Sequence, residues 1–188
     1  MRHNQPTHAV WDTWSRVARR VRVPLGFVFF VLYVWLARPT RTSLVAGALL
    51  LLPGLLLRGF ASGYVQKDQQ LTTSGPYAYT RNPLYLGSLI LAAGFALAAR
   101  SWWVVAFMVA VFVAVYIPVI AGEERFLRET FPEYEDYARQ VPRFLPRSTP
   151  FAGRHGEYSS ELYWKHREYN AALGCVAVLA ILVIRLVW

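Results

Sequence analysis

The chain has 188 residues, 55% of them hydrophobic and only 16% charged, against about 25% charged in an ordinary soluble domain. A formal charge of +9 would suit nucleic acid, but the basic residues flank apolar blocks, where they meet lipid headgroups and set topology; no nucleic-acid partner is expected. One cysteine, Cys175, excludes an internal disulfide, and His3, His8, His155 and His166 form no HxxxH or HExxH pair, so no metal site is expected.

Residues 9–22 place Val10, Trp14, Val17 and Val21 on one helical face, with Arg16, Arg19, Arg20 and Arg22 around the rest. That pattern predicts an interfacial amphipathic helix. A cleaved signal peptide competes for this stretch, but Ala37-Arg38-Pro39 is a poor cleavage site and further spans follow. Membrane spans are expected over roughly 23–37, 42–60, 84–99, 102–121 and 171–187. Pro53 should kink the second span or free a carbonyl, and Trp102 and Trp103 should anchor the fourth at the interface. The expected fold is an all-α integral membrane protein: one domain over residues 1–188, about five transmembrane helices, and interfacial amphipathic helices.

With the N-terminus cytosolic, every basic residue except Arg38, Arg41, Arg100 and Arg185 falls inside, together with all 11 acidic residues. This bias predicts N-terminus in and C-terminus out, in a bacterial inner membrane. Spans three and four are joined only by Arg100-Ser101, so they should form a tight hairpin. Its two inner ends, residues 69–85 and Glu123-Glu124, should therefore be neighbours.

Those two patches hold the candidate chemistry. Gly75-Pro76 marks a turn. Pro83 suits the first turn of a helix, which puts Arg81 and Asn82 at a helix N-terminus, where a carboxylate or polar ligand is favoured. Tyr77, Tyr79 and Tyr85 either stack on a planar ring or are ordinary interfacial tyrosines. Glu123 and Glu124, costly beside hydrocarbon unless paired or wet, either pair with Arg125 and Arg128 or hold a cationic ligand group. Residues 125–146 read as an amphipathic surface helix ended before Pro142, plain or acting as a lid over the site.

Together, GPYAYTRNPLYLG (75–87), a short pair of spans, Glu123-Glu124 and FPEYEDYARQVPRFLP (131–146) resemble the isoprenylcysteine carboxyl methyltransferase and phospholipid methyltransferase families. Their pattern is GxYxxxRHPxYxG, an acidic pair, and an EYxxYxxxVPRF-like tail. The resemblance covers roughly residues 66–147. It implies S-adenosylmethionine as methyl donor, S-adenosylhomocysteine as product, and a lipophilic small molecule or lipid as acceptor among membrane lipids, with no obligate protein partner. It further implies donor contacts from Gln69, Gln70, Leu71, Thr72, Tyr77, Asn82, Pro83, Leu84 and Tyr85, with Glu123 holding the donor's amino group. Arg81 and Glu124 are expected to orient the acceptor or shape the field as catalytic residues, at an active site on the cytosolic face.

Two positions depart from the pattern. Asn82 stands where histidine is usual; it can hydrogen-bond but cannot titrate near neutral pH. Val119 stands where isoprenylcysteine enzymes carry an arginine for the substrate carboxylate. This favours a more apolar or amine-bearing acceptor, with Arg143 as substitute anchor if the acceptor is a carboxylate. Two rival readings are an NADPH-dependent membrane reductase of the sterol reductase type, for which the segment offers few phosphate contacts, and a non-catalytic lipid-binding protein.

Overall fold

The computed structural model describes residues 26–65, 70–152 and 156–187. The amphipathic helix expected over 9–22 and the donor contact expected at Gln69 lie outside the described residues. Within them the structure is all-helical: α1 (Gly26–Leu36), α2 (Arg41–Ser62), α3 (Pro83–Ala99), α4 (Trp102–Thr130), α5 (Tyr134–Gln140), α6 (Ser160–Lys165) and α7 (Tyr169–Val187). Helices α2, α4 and α7 are long and apolar enough to cross a membrane, while α1 and α3 are shorter apolar helices. The outward side chains on α2 include Val45, Leu49, Leu52, Leu56 and Phe60. Their three- and four-residue spacing makes one continuous apolar stripe, which suits lipid and not water. The helix continues through Pro53, itself exposed.

Helix α4 departs from expectation. The fourth span was expected to stop near residue 121, with a separate surface helix from 125; instead one helix runs from Trp102 to Thr130. Gly122 alone does not break it, and the helix ends only before Phe131-Pro132. It contains one π-helical turn, Phe112–Tyr116, closed by Ile117 N–H donating to Phe112 O five residues back. Pro118 explains the turn: it has no N–H to give, and its ring collides with the carbonyl of a regular α-helix. The wider turn absorbs that conflict without a break. The surface helix contracts to α5.

Helices α2 and α3 pack antiparallel through two glycine pairs. A Cβ on Gly47 would lie 2.7 Å from Gly94 O, and one on Gly87 would lie 3.0 Å from Gly54 O. Both pairs are spaced by seven residues, two helical turns, so the same face of each helix meets the other. Close backbone approach of this kind maximises van der Waals contact where lipid removes the hydrophobic drive. Of the small-residue run 92–99, Gly94, Ala98 and Ala99 are buried inside the chain.

At the end remote from the tyrosine-rich patch, a core of Tyr33, Ala37, Leu44, Ala98, Ala99, Val104 and Leu182 joins α1, α2, α3, α4 and α7. Thr40 and Ser43 form a capping box at the start of α2. Arg185 donates to Ala37 O at 3.0 Å and to Trp35 O at 2.9 Å, satisfying carbonyls that end α1. Arg100 ends α3 in the left-handed conformation, φ 49°, and only Arg100-Ser101 separates α3 from α4, as the hairpin requires.

Candidate functional site

The far end of the hairpin converges as expected. Tyr85 Oη donates to Glu123 Oε1 at 2.8 Å, and Asn82 Nδ2 donates to Glu124 Oε1 at 3.2 Å. Residues separated by about forty positions thus meet because α3 and α4 run back along one another from a single short turn, α4 continuing past the start of α3 to Thr130. The rings of Tyr85 and Tyr116 meet edge to face at 5.9 Å, and Phe112 stacks on Tyr116 at 5.7 Å. The π-turn therefore supplies aromatic rings to the same rim.

The two adjacent glutamates have different surroundings. Glu124 is buried, 5% exposed, and both its oxygens are engaged. Arg143 grips it with two bonds, Nε to Oε1 at 3.0 Å and Nη2 to Oε2 at 2.5 Å, the bidentate arrangement that makes such pairs strong. Arg81 Nη1 lies 3.7 Å from Oε1. The hydrogen bond to Glu124 raises the Arg143 pKa and outweighs the opposing effect of burial, so this guanidinium stays charged. Glu123, one residue earlier on the helix, is exposed and is oriented by Tyr85. The pairing with Arg128 considered from sequence is replaced by Arg143: Arg128 pairs with Glu135 at 3.3 Å. Arg143 is correspondingly drawn away from the role of substitute carboxylate anchor, since two of its nitrogens are committed to Glu124. Val119 is half-buried on α4.

Around this pair the segment after α4 closes as a packed wall. Tyr134 and Tyr137, 1% and 2% exposed, join Leu71 and Val141 in one core, so α5 turns its tyrosine face inward and keeps Glu135, Asp136, Arg139 and Gln140 exposed. Their hydroxyls are satisfied: Arg81 Nη1 donates to Tyr134 Oη at 3.3 Å, and Tyr137 Oη donates to Tyr77 O at 2.7 Å. Burial pushes the phenol pKa of Tyr77, Tyr134 and Tyr137 up, and all three remain neutral hydrogen-bonding groups at ordinary pH. The chain then runs back along the motif. Arg81 N–H donates to Pro142 O, Thr80 Oγ1 to Arg143 O, Arg147 N–H to Tyr79 O and Phe151 N–H to Ala78 O. The backbone of 78–81 is thereby held from 142 to 151.

Of the residues expected to contact a donor, Tyr77, Asn82 and Pro83 are buried, Leu71 is buried in the α5 core, and Tyr85 stands at the rim. Gln70 is exposed, and Leu84 is half-buried with its carbonyl facing Arg58. Two polar atoms in this region, Thr72 Oγ1 and Arg81 Nε, are buried without a partner. Such atoms are costly unless something satisfies them. Asn82 spends its amide on Glu124 and Arg143 O and makes no side-chain cap to α3. The first-turn N–H groups are thus left without the usual cap, an arrangement that favours an anionic ligand group.

Sequence reasoning missed three ties that hold this end. Arg58 on α2 crosses over Gly87 and bonds Glu168 through Nε at 3.1 Å and Nη2 at 2.7 Å, and Ser88 Oγ through Nη1 at 2.5 Å. An arginine inside an apolar helix is the signal that pointed there, since such a charge needs a partner. Tyr158 packs over Gly63, with its ring 5.9 Å from Phe60 and 6.1 Å from Tyr64, and Ser159 N–H donates to Gly63 O at 2.9 Å. The third tie is the 142–151 return, which carries no motif of its own. Among the described residues no group of three His, Cys, Asp or Glu side chains converges as a metal site.

A family model described as phospholipid methyltransferase matches residues 21–134. Two curated proteins are similar to part of the chain. The cobalt-zinc-cadmium resistance protein CzcN of Cupriavidus metallidurans is 40% identical over 88 residues, covering 47% of this chain and 41% of that protein. The nickel-cobalt-cadmium resistance protein NccN of Alcaligenes xylosoxydans xylosoxydans is 36% identical over 86 residues, covering 46% and 40%. The matched stretch therefore spans about two fifths of the length of these relatives. No solved structure matches the chain.

Proposed function

We propose, for a chain that belongs to the phospholipid methyltransferase family, that it transfers a methyl group from S-adenosylmethionine to a lipophilic acceptor at the rim where Tyr85 meets Glu123. The observation that carries the reading is the contrast between the neighbouring glutamates. One carboxylate is sealed into an ion pair, and the next is held out, oriented by a tyrosine, at the end of an apolar hairpin. S-adenosylmethionine would supply an already activated methyl carbon, so the protein need only position the reactants and exclude water.

The residues present fit such a donor. Glu123 suits its ammonium. The uncapped start of α3 and the unpartnered Arg81 Nε and Thr72 Oγ1 suit its carboxylate and hydroxyls. The rings of Tyr85 and Tyr116 suit its sulfonium. In this reading Gln69, Gln70, Leu71, Tyr77, Asn82, Pro83 and Leu84 shape the donor side. Glu124 and Arg81 act as positioning residues, because Glu124 has its oxygens taken up by Arg143 and Asn82. The acceptor reaches the rim laterally from the membrane. The concentration of charge at this end supports a cytosolic site in a bacterial inner membrane.

The test uses purified full-length protein in detergent. S-adenosylhomocysteine should raise the melting temperature and NADPH should not, and radiolabelled methyl from S-adenosylmethionine should appear in membrane lipid extract or in a small lipophilic amine. Protection by NADPH alone would support the reductase reading. No protection by either, with no label transferred, would leave a lipid-binding protein. The metal-resistance names of the relatives suggest a cellular readout: cells expressing the wild-type chain should tolerate cobalt, zinc or cadmium better than cells expressing Glu123→Gln.

A further inference from the structure

The α3–α4 hairpin is joined at both ends, and α1 bridges its middle on one side, with Phe29 stacked on Phe107 and Tyr33 Oη donating to Phe95 O at 2.9 Å. Ala98, Ala99 and Val104 pack together at one end, and Tyr85 meets Glu123 at the other. In the middle lies a cavity of ≈ 1080 Å³, walled by apolar side chains such as Leu91, Phe95, Val105 and Phe112. Its mouth at the turn carries Arg100 and Ser101. From Arg100 to Ser88, which line its two ends, α3 rises about 18 Å. One leaflet of hydrocarbon is about 15 Å deep, half of a roughly 30 Å core. The groove thus has the depth of an acyl chain standing in one leaflet.

The mouth also has the right charge for a lipid headgroup. Arg100 is exposed, lines the cavity and has a left-handed backbone, φ 49°. Arg38 is adjacent, its N–H donating to Ala99 O at 2.8 Å, and Arg41 opens α2. The stretches 26–65 and 70–122 contain no acidic residue at all, so nothing in them neutralises these guanidiniums. Trp102 and Trp103 beside the mouth are 86% and 74% exposed, and tryptophan favours the headgroup depth of a bilayer. A second copy of the chain related by a two-fold axis would bring arginine to arginine across this mouth. An anionic lipid brings the opposite charge and an apolar chain together.

We propose that the α3–α4 window binds an anionic phospholipid, with its phosphate on Arg100 and an acyl chain running along the groove toward Tyr116. The phosphate end lies at the turn, opposite Glu123, and the acyl end reaches Tyr116 at the rim; the anionic preference read at Arg100 does not depend on the methyl-transfer reading. A lipid seated there covers the apolar walls of α3 and α4 beside Phe29 of α1.

Full-length protein in mild detergent would be titrated with dioleoylphosphatidylglycerol and with dioleoylphosphatidylcholine, reading bound lipid by native mass spectrometry and stability by melting temperature. The anionic lipid should form a one-to-one adduct at about tenfold lower concentration than the zwitterionic one. Arg100→Asn, which tolerates the left-handed backbone, should erase that preference, and Arg100→Lys should keep it. Ala96→Trp, placed on the groove wall, should reduce binding of both lipids, and it tests the groove even if Arg100→Asn does not fold. Equal retention of the two lipids by the wild type would overturn the proposal, as would an unchanged preference in Arg100→Asn. So would a dimer that Ala96→Trp dissociates without altering lipid retention, which would assign the window to a second copy.

Discussion

The two ends of the α3–α4 hairpin are held by opposite means. At the turn, small residues bring backbones together and Arg185 caps carbonyls, with no acidic residue in 26–65 or 70–122. At the Tyr85–Glu123 end, carboxylates, guanidiniums and phenols interlock, and α3 and α4 meet through side chains. The first arrangement is a packing solution, which tolerates charge only at its edge. The second places a carboxylate where it is 5% exposed, and it survives because Arg143, Arg81 and Asn82 surround it. A buried polar cluster of this kind fixes geometry at a cost in robustness, whereas glycine packing gives stability with no chemistry attached.

That contrast can be broken most severely at Glu124. Glu124→Ala leaves the largely buried Arg81 side chain without a counter-charge, while Arg143, 47% exposed, turns to water; it should destabilise the protein by about 3 kcal/mol, read as a large fall in melting temperature in detergent. At the packing end, Gly47→Ala forces a Cβ to 2.7 Å from Gly94 O and should cost about 1–3 kcal/mol. Gly122→Ala is the matched control. Nothing lies within 4 Å of its added Cβ, so removal of backbone freedom should leave stability unchanged or raise it by up to about 1 kcal/mol.

A smaller effect should appear with pH. Burial raises the folded-state pKa of Tyr77, Tyr134 and Tyr137, so the unfolded chain loses these protons first, near its ordinary value of about 10. Their contribution is fully present below that pH and is lost as pH rises through the folded values. Melting temperature should therefore be flat in this respect up to about pH 9.5 and fall above it, and Tyr137→Phe should blunt the fall. That variant also gives up the hydrogen bond to Tyr77 O, worth about 1 kcal/mol.

How much of this was legible in the sequence differs between the two ends. The hairpin was readable because hydropathy gives helix lengths and Arg100-Ser101 leaves no room for a loop, and the meeting of residues 82–85 with 123–124 followed from that alone. The partners of the glutamates were not readable. Arg143 lies nineteen residues beyond Glu124, past a helix end, a turn and α5, and hydropathy does not say where a chain returns. The expected surface helix over 125–146 is divided between the end of α4 and α5, which stops before Pro142 as expected but buries its tyrosine face. Its tyrosines pattern like interfacial residues, yet Arg81 and the Tyr77 carbonyl supply the partners that let them be buried. The glycine register of Gly47, Gly54, Gly87 and Gly94 was present in the spacing, but only an antiparallel pairing of α2 with α3 gives it meaning. The π-turn had one visible sign, Pro118 within an otherwise uninterrupted apolar helix.

In the methyl-transfer reading Glu123 and Glu124 divide ligand binding from scaffold, and calorimetric titration of S-adenosylhomocysteine into detergent-solubilised wild type and Glu123→Gln separates the two roles. Glu123→Gln should lose affinity by about tenfold or more at an unchanged melting temperature. Wild-type affinity in that variant would contradict this division, as would a fall in melting temperature as large as that of Glu124→Ala.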